Sequence, residues 1–236
     1  MTYTLQNKQI IIAGGTSGIG LATARALTAQ GASVTVTGRN EDRLKAAAGL
    51  SIQSVRLDST DRPGMDRFFG ESGGFDHLVV ALGSRRGLGN FSEASLDDFR
   101  QGFEEKYWAH LHTVQAALPY LREGGSITLV TAISAVAKMP GTSGIGSANG
   151  ALEIMVPIWA KEMPQFRINA VSPGIIDTPW WDFLPEEARQ QAFTQYAAQI
   201  PVGRVGQPED VASVVLFLLC HGYMTGKVIA CDGGLS

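Results

Sequence analysis

Short, nearly continuous apolar runs alternate along the chain with longer stretches whose apolar residues recur at helical spacing. The runs at 9–13, 33–37, 54–57, 77–81, 126–131, 167–171 and 227–230 read as strands. Several lack a polar face, as expected of strands covered by helices on both sides. Helical spacing occupies 18–30, 41–48, 62–69, 96–121, 144–163 and 208–219. Strand and helix take turns, which predicts an α/β fold: a single domain over 1–236 built on one doubly wound (Rossmann) parallel sheet of about seven strands. No linker, repeat or low-complexity segment divides it. Pro157 falls inside the 144–163 helix, where its missing amide should bend the helix or mark an exposed edge. The stretch 174–206 carries no strand pattern, opens on Thr178-Pro179-Trp180-Trp181 and contains a short helical patch at 185–198. It follows a strand's carboxyl end, where open α/β sheets bind ligands, so a substrate lid is expected there.

Composition narrows the partners. With 44% hydrophobic and 17% charged residues, a chain of 236 residues is neither disordered nor fibrous, and it can build its core without metals or disulfides. No metal site is expected. Nineteen Lys and Arg against twenty-two Asp and Glu give a net charge of −3 with no basic block, which argues against nucleic acid as a partner. The most apolar run, 211–220, is about half of what a bilayer span requires. The opening Met-Thr-Tyr-Thr-Leu lacks the basic and apolar regions of a leader, and Cys220 and Cys231 read as buried free thiols. A cytoplasmic protein without membrane contact is expected.

The first chemical signal follows the first strand: Ala13-Gly14-Gly15-Thr16-Ser17-Gly18-Ile19-Gly20, then a helix. Glycines let a backbone pass close to a pyrophosphate, and the free amides of a helix start hold its anionic oxygens. A tight turn would also need glycine, but the strand, loop and helix context is the one dinucleotide binding requires. After the second strand comes Gly38-Arg39, where an acid would suit the ribose 2′-hydroxyl of NAD; an arginine pairs instead with the 2′-phosphate of NADP.

From about Gln9 to Gly234 the chain resembles the short-chain dehydrogenase/reductase family. The matching pieces are Gly14, Thr16, Ser17, Gly18, Ile19 and Gly20 in the cofactor loop, Leu57-Asp58 for an adenine contact, and Ala81-Leu82-Gly83 in place of an Asn-Asn-Ala-Gly element. Pro173, Gly174, Ile176 and Thr178 resemble the family's nicotinamide-side loop, and the tail from Thr225 to Gly234 its last strand. The resemblance implies NADP as cofactor, a small-molecule carbonyl or alcohol substrate, and a homodimer or homotetramer. In that assembly the helices at 96–121 and 144–163 would pair through residues such as Leu111, Val114, Leu118, Ala151 and Ile154.

The family's catalytic residues are an Asn, a Ser, a Tyr that acts as acid, and a Lys that lowers its pKa. Anchoring on Ser147-Ala148-Asn149-Gly150-Ala151-Leu152-Glu153 puts Asn149 at the lysine, Ile145 at the tyrosine, Ala132 at the serine and Lys106 at the asparagine. No Tyr lies between Tyr120 and Tyr196, so no shift of register restores the phenol. Lys106 and Asn149 look like an exchange of amine and amide between facing helices. In this reading Lys106 reaches toward the nicotinamide ribose and Asn149 binds its hydroxyl; the competing reading has Lys106 on a solvent face. His110, one turn beyond Lys106, is a second candidate acid, and Tyr107, His112, Ser134, Ser143 and Ser147 lie nearby in the chain. Three functions remain open: an NADP-dependent oxidoreductase with a non-standard active site; a catalytically inactive NADPH-binding module or sensor acting through a protein partner; and non-redox chemistry on a Rossmann scaffold.

Overall fold

The computed structural model describes residues 4–50 and 52–236. Seven strands, β1 (Gln9–Ala13), β2 (Ser33–Gly38), β3 (Gln53–Arg56), β4 (Phe75–Val80), β5 (Leu121–Val130), β6 (Arg167–Pro173) and β7 (Lys227–Cys231), form one sheet in the order β3-β2-β1-β4-β5-β6-β7. Every pairing is parallel. The helices are α1 (Gly18–Ala29), α2 (Glu41–Ala48), α3 (Arg62–Glu71), α4 (Leu96–Phe103), α5 (Ala109–Ala117), α6 (Ser143–Glu162), α7 (Glu186–Ala197) and α8 (Pro208–Cys220).

The all-apolar strands explain the layering. In β1, Ile10 and Ile12 point into a core shared with Leu27 of α1 and with Val211, Val215 and Leu218 of α8. Ile11 and Ala13 point the other way, into a core shared with Met65 and Phe69 of α3 and Val114 of α5. Successive side chains of a strand face opposite sides, so one isoleucine run feeds two cores. Each fully buried large aliphatic contributes about 1.5 to 3 kcal/mol, and this burial holds the carboxyl ends of the strands in a common row. Helix starts are placed by local caps: Asn40 accepts from the Arg43 amide at 2.9 Å, Asp61 from that of Gly64 at 3.1 Å, and Gln207 with Asp210 closes a capping box on α8.

Three expectations need correction. The stretch 96–121 is not one helix. A π-helical turn, Glu104–Trp108, separates α4 from α5, and a 3₁₀ turn, Leu118–Tyr120, closes the run. Second, β5 begins at Leu121 rather than at 126. Its first half, Leu121-Arg122-Glu123-Gly124-Gly125, is mostly polar or glycine, and a register shift between Phe75 and His77 accommodates it, so no apolar run announces it. Third, Cys220 and Cys231 are free but half-buried. Pro157 sits on the exposed face of α6, which continues through it. Among the described residues no helix is long and apolar enough to cross a membrane.

The segment 174–206 contains a 3₁₀ turn, Pro179–Trp181, and α7. Its two ends are tied together: the Asp177 amide donates to the Gly206 carbonyl at 2.8 Å, and that of Gly206 to Ile175 at 2.9 Å.

Candidate functional site

A cavity of about 830 Å³ opens along the carboxyl ends of the central strands. The loop after β1, the starts of α1 and α2, the loops after β3 and β4, the π-helical turn, α6 and the 174–206 segment all contribute walls. Of the residues expected to bind cofactor, Gly14, Thr16, Ser17, Gly18, Ile19, Gly20, Arg39, Asp58, Ala81, Leu82, Gly83, Pro173, Gly174, Ile176 and Thr178 all line it.

At the β1 end, close backbone approach accounts for the glycines. Gly14 has φ +79°, and a Cβ there would lie 2.6 Å from the Ala81 carbonyl oxygen; one on Gly20 would lie 2.3 Å from that of Gly14. Neither obstacle is a flexible side-chain end, so the loop can fold over α1 only with glycine at both positions. Gly14→Ala is expected to lower the thermal midpoint by several degrees and abolish dinucleotide binding, as checked by melting with and without NADPH. The start of α1, with Ser17 as N-cap, lines the cavity from Ser17 to Gly20, and a helix start is suited to anionic oxygens. At the far end Arg39 is exposed, and among the described residues it has no ion-pair partner. Arg43, one helical turn later, also lines the cavity and donates to Ser17 Oγ at 3.3 Å. Its sequence signal is an arginine in the first turn of the helix that follows Gly38-Arg39. Asp58 accepts from the Thr60 amide and hydroxyl at 3.0 and 2.8 Å, which fixes the rim of this end.

Lys106 is buried in the opposite wall, carried by the π-helical turn. Such a turn widens the helix by one residue and is common at functional sites. Nζ donates to the carbonyls of Leu82 and Val130, both at 2.8 Å, spanning the carboxyl ends of β4 and β5. This overturns the solvent-facing reading. It also corrects the expected reach: the amine is committed to these two carbonyls rather than extended toward a ribose. Burial pushes its pKa down to about 7, opposed in part by the negative charge of Glu153. Glu153 is held on α6 by the hydroxyls of Thr131 and Ser172, which both donate to Oε1 at 2.8 Å.

Asn149 is buried in the same cavity wall. Its Nδ2 donates to Ile145 O at 2.9 Å and Ser134 Oγ at 3.2 Å, leaving Oδ1 buried with no donor. A buried acceptor without a partner costs about 1 to 3 kcal/mol, so this oxygen is suited to a hydroxyl presented from the cavity. Ile145 lines the wall one turn earlier and supplies no acid.

His110 is a correction. It lies behind Lys106, fully buried and outside the cavity lining, with Nδ1 2.7 Å from the Lys106 carbonyl oxygen. Burial and the adjacent ammonium push its pKa down to about 3, so it stays neutral and supports the turn instead of meeting a substrate. Tyr107 donates to Met155 Sδ at 3.5 Å and, like His112, does not line the cavity. Aromatic side chains from 174–206 close the remaining side. Trp180 lies 4.9 Å from Trp181 and 5.6 Å from Phe183, centroid to centroid, and its Nε1 donates to the Ser84 carbonyl at 3.1 Å.

Comparisons agree with this architecture. A family model described as enoyl-(acyl carrier protein) reductase matches residues 13–236. The chain is 34% identical to a 3-oxoacyl-[acyl-carrier-protein] reductase of Thermotoga maritima, over 98% of each chain. It superposes with TM-score 0.92, at 30% identity and over 99% and 98% of the two chains, on an NADPH-bound short chain oxidoreductase of Pseudomonas aeruginosa PAO1 containing an atypical catalytic center. A small-chain dehydrogenase in complex with NADPH superposes with TM-score 0.86 at 29% identity, over 98% and 99%. Matched along almost its whole length in both sequence and fold, the chain belongs to the short-chain dehydrogenase/reductase family.

Proposed function

We propose that the chain is an NADP(H)-dependent oxidoreductase that interconverts a small carbonyl compound and its alcohol, using Lys106 in place of the family's tyrosine to move the proton. The observation that carries this reading is the Lys106 amine, buried in the cavity wall with Nζ held by the Leu82 and Val130 carbonyls; burial pushes its pKa down to about 7. The cavity suits NADP(H) on its own chemistry: the glycine cradle at Gly14 and Gly20, the free Asn149 Oδ1, and Arg39 with Arg43 at the end where a 2′-phosphate would sit. NADPH-bound relatives support the same choice. Bound there, the reduced nicotinamide supplies a hydride to the carbonyl carbon.

The chain's own residues supply the rest. In reduction the Lys106 ammonium gives one proton to the carbonyl oxygen as the carbon gains its hydride, and the amine regains a proton from solvent. In oxidation the neutral amine takes the hydroxyl proton. The Leu82 and Val130 carbonyls orient Nζ in both directions. A pKa near the working pH lets one group serve as acid and base.

The protonation states set a pH profile. Reduction requires the ammonium, so its rate should fall as pH rises through about 7, while oxidation should rise over the same interval. Glu153→Gln keeps an oxygen for Thr131 and Ser172 but removes the charge that raises the Lys106 pKa, so the limb should move to lower pH. Steady-state rates of both enzymes between pH 5 and 9 (roughly the range that brackets the expected limb) check this; a limb that stays in place would separate the limb from Lys106. The wider test is NADPH oxidation against a panel of small aldehydes and ketones, with NADPH binding measured in parallel. Binding without turnover of any compound would favour the sensor reading, for which the absence of a phenol one turn before Asn149 already speaks.

The segment 174–206 serves in this reading as the substrate lid of a single catalytic domain, hinged where Asp177 and Ile175 meet Gly206. The half-buried free thiols Cys220 and Cys231 fit a cytoplasmic setting. Self-assembly into a homodimer or homotetramer is proposed through α6 and the α4–α5 unit. Val114 is committed to the core, but Ile154 is 67% exposed and Ile158 and Trp108 are also open, leaving apolar surface on that side. Light scattering at micromolar concentration should return at least twice the monomer mass.

A further inference from the structure

Resting on the oxidoreductase reading, the geometry points to the substrate class: we propose that Arg85 binds the carboxylate of a small oxo acid whose carbonyl faces Lys106. The 83–86 loop and the aromatic wall of 174–206 are joined twice. Trp180 Nε1 donates to the Ser84 carbonyl at 3.1 Å, and the Arg85 guanidinium lies over the Phe183 ring, 5.5 Å from its centroid. Stacking of this kind holds a guanidinium in place while leaving its N–H edge free.

The other cations near this end are spoken for. Arg86 pairs with Asp98 at 3.0 Å, and Arg189 pairs with Asp177 and Asp182. Glu105, which also lines the cavity, accepts from Ser84 Oγ at 2.7 Å and Gln101 Nε2 at 3.0 Å and makes no ion pair with Arg85. Among the described residues, Arg85 has no hydrogen-bond or ion-pair acceptor. A planar cation with unused donors, fixed at the lip of a cavity by an aromatic ring, matches a carboxylate in bidentate geometry. The remaining lining near it, Trp180 and Phe183, suits a short apolar or aryl body between carboxylate and carbonyl.

The test compares 2-oxo and 4-oxo acids with their methyl esters, and with a 3-oxoacyl N-acetylcysteamine thioester, on the NADPH-bound protein. Binding is read by quenching of tryptophan fluorescence and turnover by NADPH absorbance. The acids should bind at least tenfold more tightly than their esters. Arg85→Gln should collapse that ratio to near one, through KM rather than kcat, and Arg85→Lys should restore part of it. Esters or the thioester binding as well as the acids, or an acid preference that survives Arg85→Gln, would overturn the assignment. Acids that bind selectively without being reduced, on a protein that also turns over none of the aldehydes and ketones, would uphold Arg85 while refuting the oxidoreductase reading, so the two failures are distinguishable.

Discussion

Replacing Lys106 by Met is expected to lower kcat by about 10²- to 10⁴-fold, the range general acid–base catalysis contributes, with a much smaller change in NADPH affinity. The split follows from where Nζ sits. Its hydrogen bonds go to the Leu82 and Val130 carbonyls, so the backbone and not the cofactor loses a partner. The lost bonds, one to the buried Val130 carbonyl and one to the part-buried Leu82 carbonyl, lower stability by about 1 to 3 kcal/mol, offset in part because an amine no longer has to be buried. The variant should therefore fold, melt somewhat earlier and still bind NADPH. Lys106→Arg separates proton transfer from scaffolding: a guanidinium can reach a carbonyl, but its pKa above about 12 prevents it from releasing a proton near neutrality. Both variants should be slow; a fast Lys106→Arg enzyme would show that charge, not proton transfer, is what the position supplies.

Rebuilding the family's arrangement is the complement. Asn149→Lys alone would add a second amine to a buried wall that already holds one, and like charges there oppose each other. Ile145→Tyr and Asn149→Lys should therefore rescue a Lys106→Asn enzyme better than the unaltered one. Recovery of activity in the triple variant, together with loss of the limb near pH 7, would identify the exchange as reciprocal.

How much of this was legible in the chain depends on the range over which each feature is written. The sheet was, because Ile10-Ile11-Ile12 or Leu78-Val79-Val80 carries its two-sided burial within a few residues. So was one end of the cavity, since Gly14 to Gly20 and Arg39, which line it, each directly follow a strand in the sequence. The first half of β5 was not, because Arg122 and Glu123 face solvent and Gly124 takes φ +79°. Lys106 stood out only through the family pattern. The π-helical turn that aims it inward leaves no periodic mark, being a local widening and not a repeat. Its electrostatic partner Glu153 sits on α6 and is fixed by Thr131, just after β5, and Ser172 of β6, a grouping that only the fold brings together. His110 differs for the opposite reason: one helical turn from Lys106 gives a shared face, but His110 is fully buried outside the cavity lining, with Nδ1 on the Lys106 carbonyl.

Arg39→Asp is expected to reverse cofactor preference. A guanidinium on a phosphate contributes about 1.5 to 3 kcal/mol, so the unaltered protein should bind NADPH about 10- to 100-fold more tightly than NADH. The position itself accepts the change, since Arg39 is exposed and makes no ion pair among the described residues. An aspartate there repels the 2′-phosphate and accepts from a free ribose 2′-hydroxyl, penalising one cofactor while favouring the other. Arg43 sets how complete the reversal is. It borders the same end of the cavity and is held by Ser17 Oγ, so it can keep part of the phosphate's affinity after Arg39 is gone. A residual NADPH preference in Arg39→Asp that disappears in Arg39→Asp, Arg43→Gln would divide the charge recognition between them. Titrating both cofactors against all three proteins at fixed ionic strength measures each share, and equal dissociation constants for NADPH and NADH in the unaltered protein would remove the basis of the assignment.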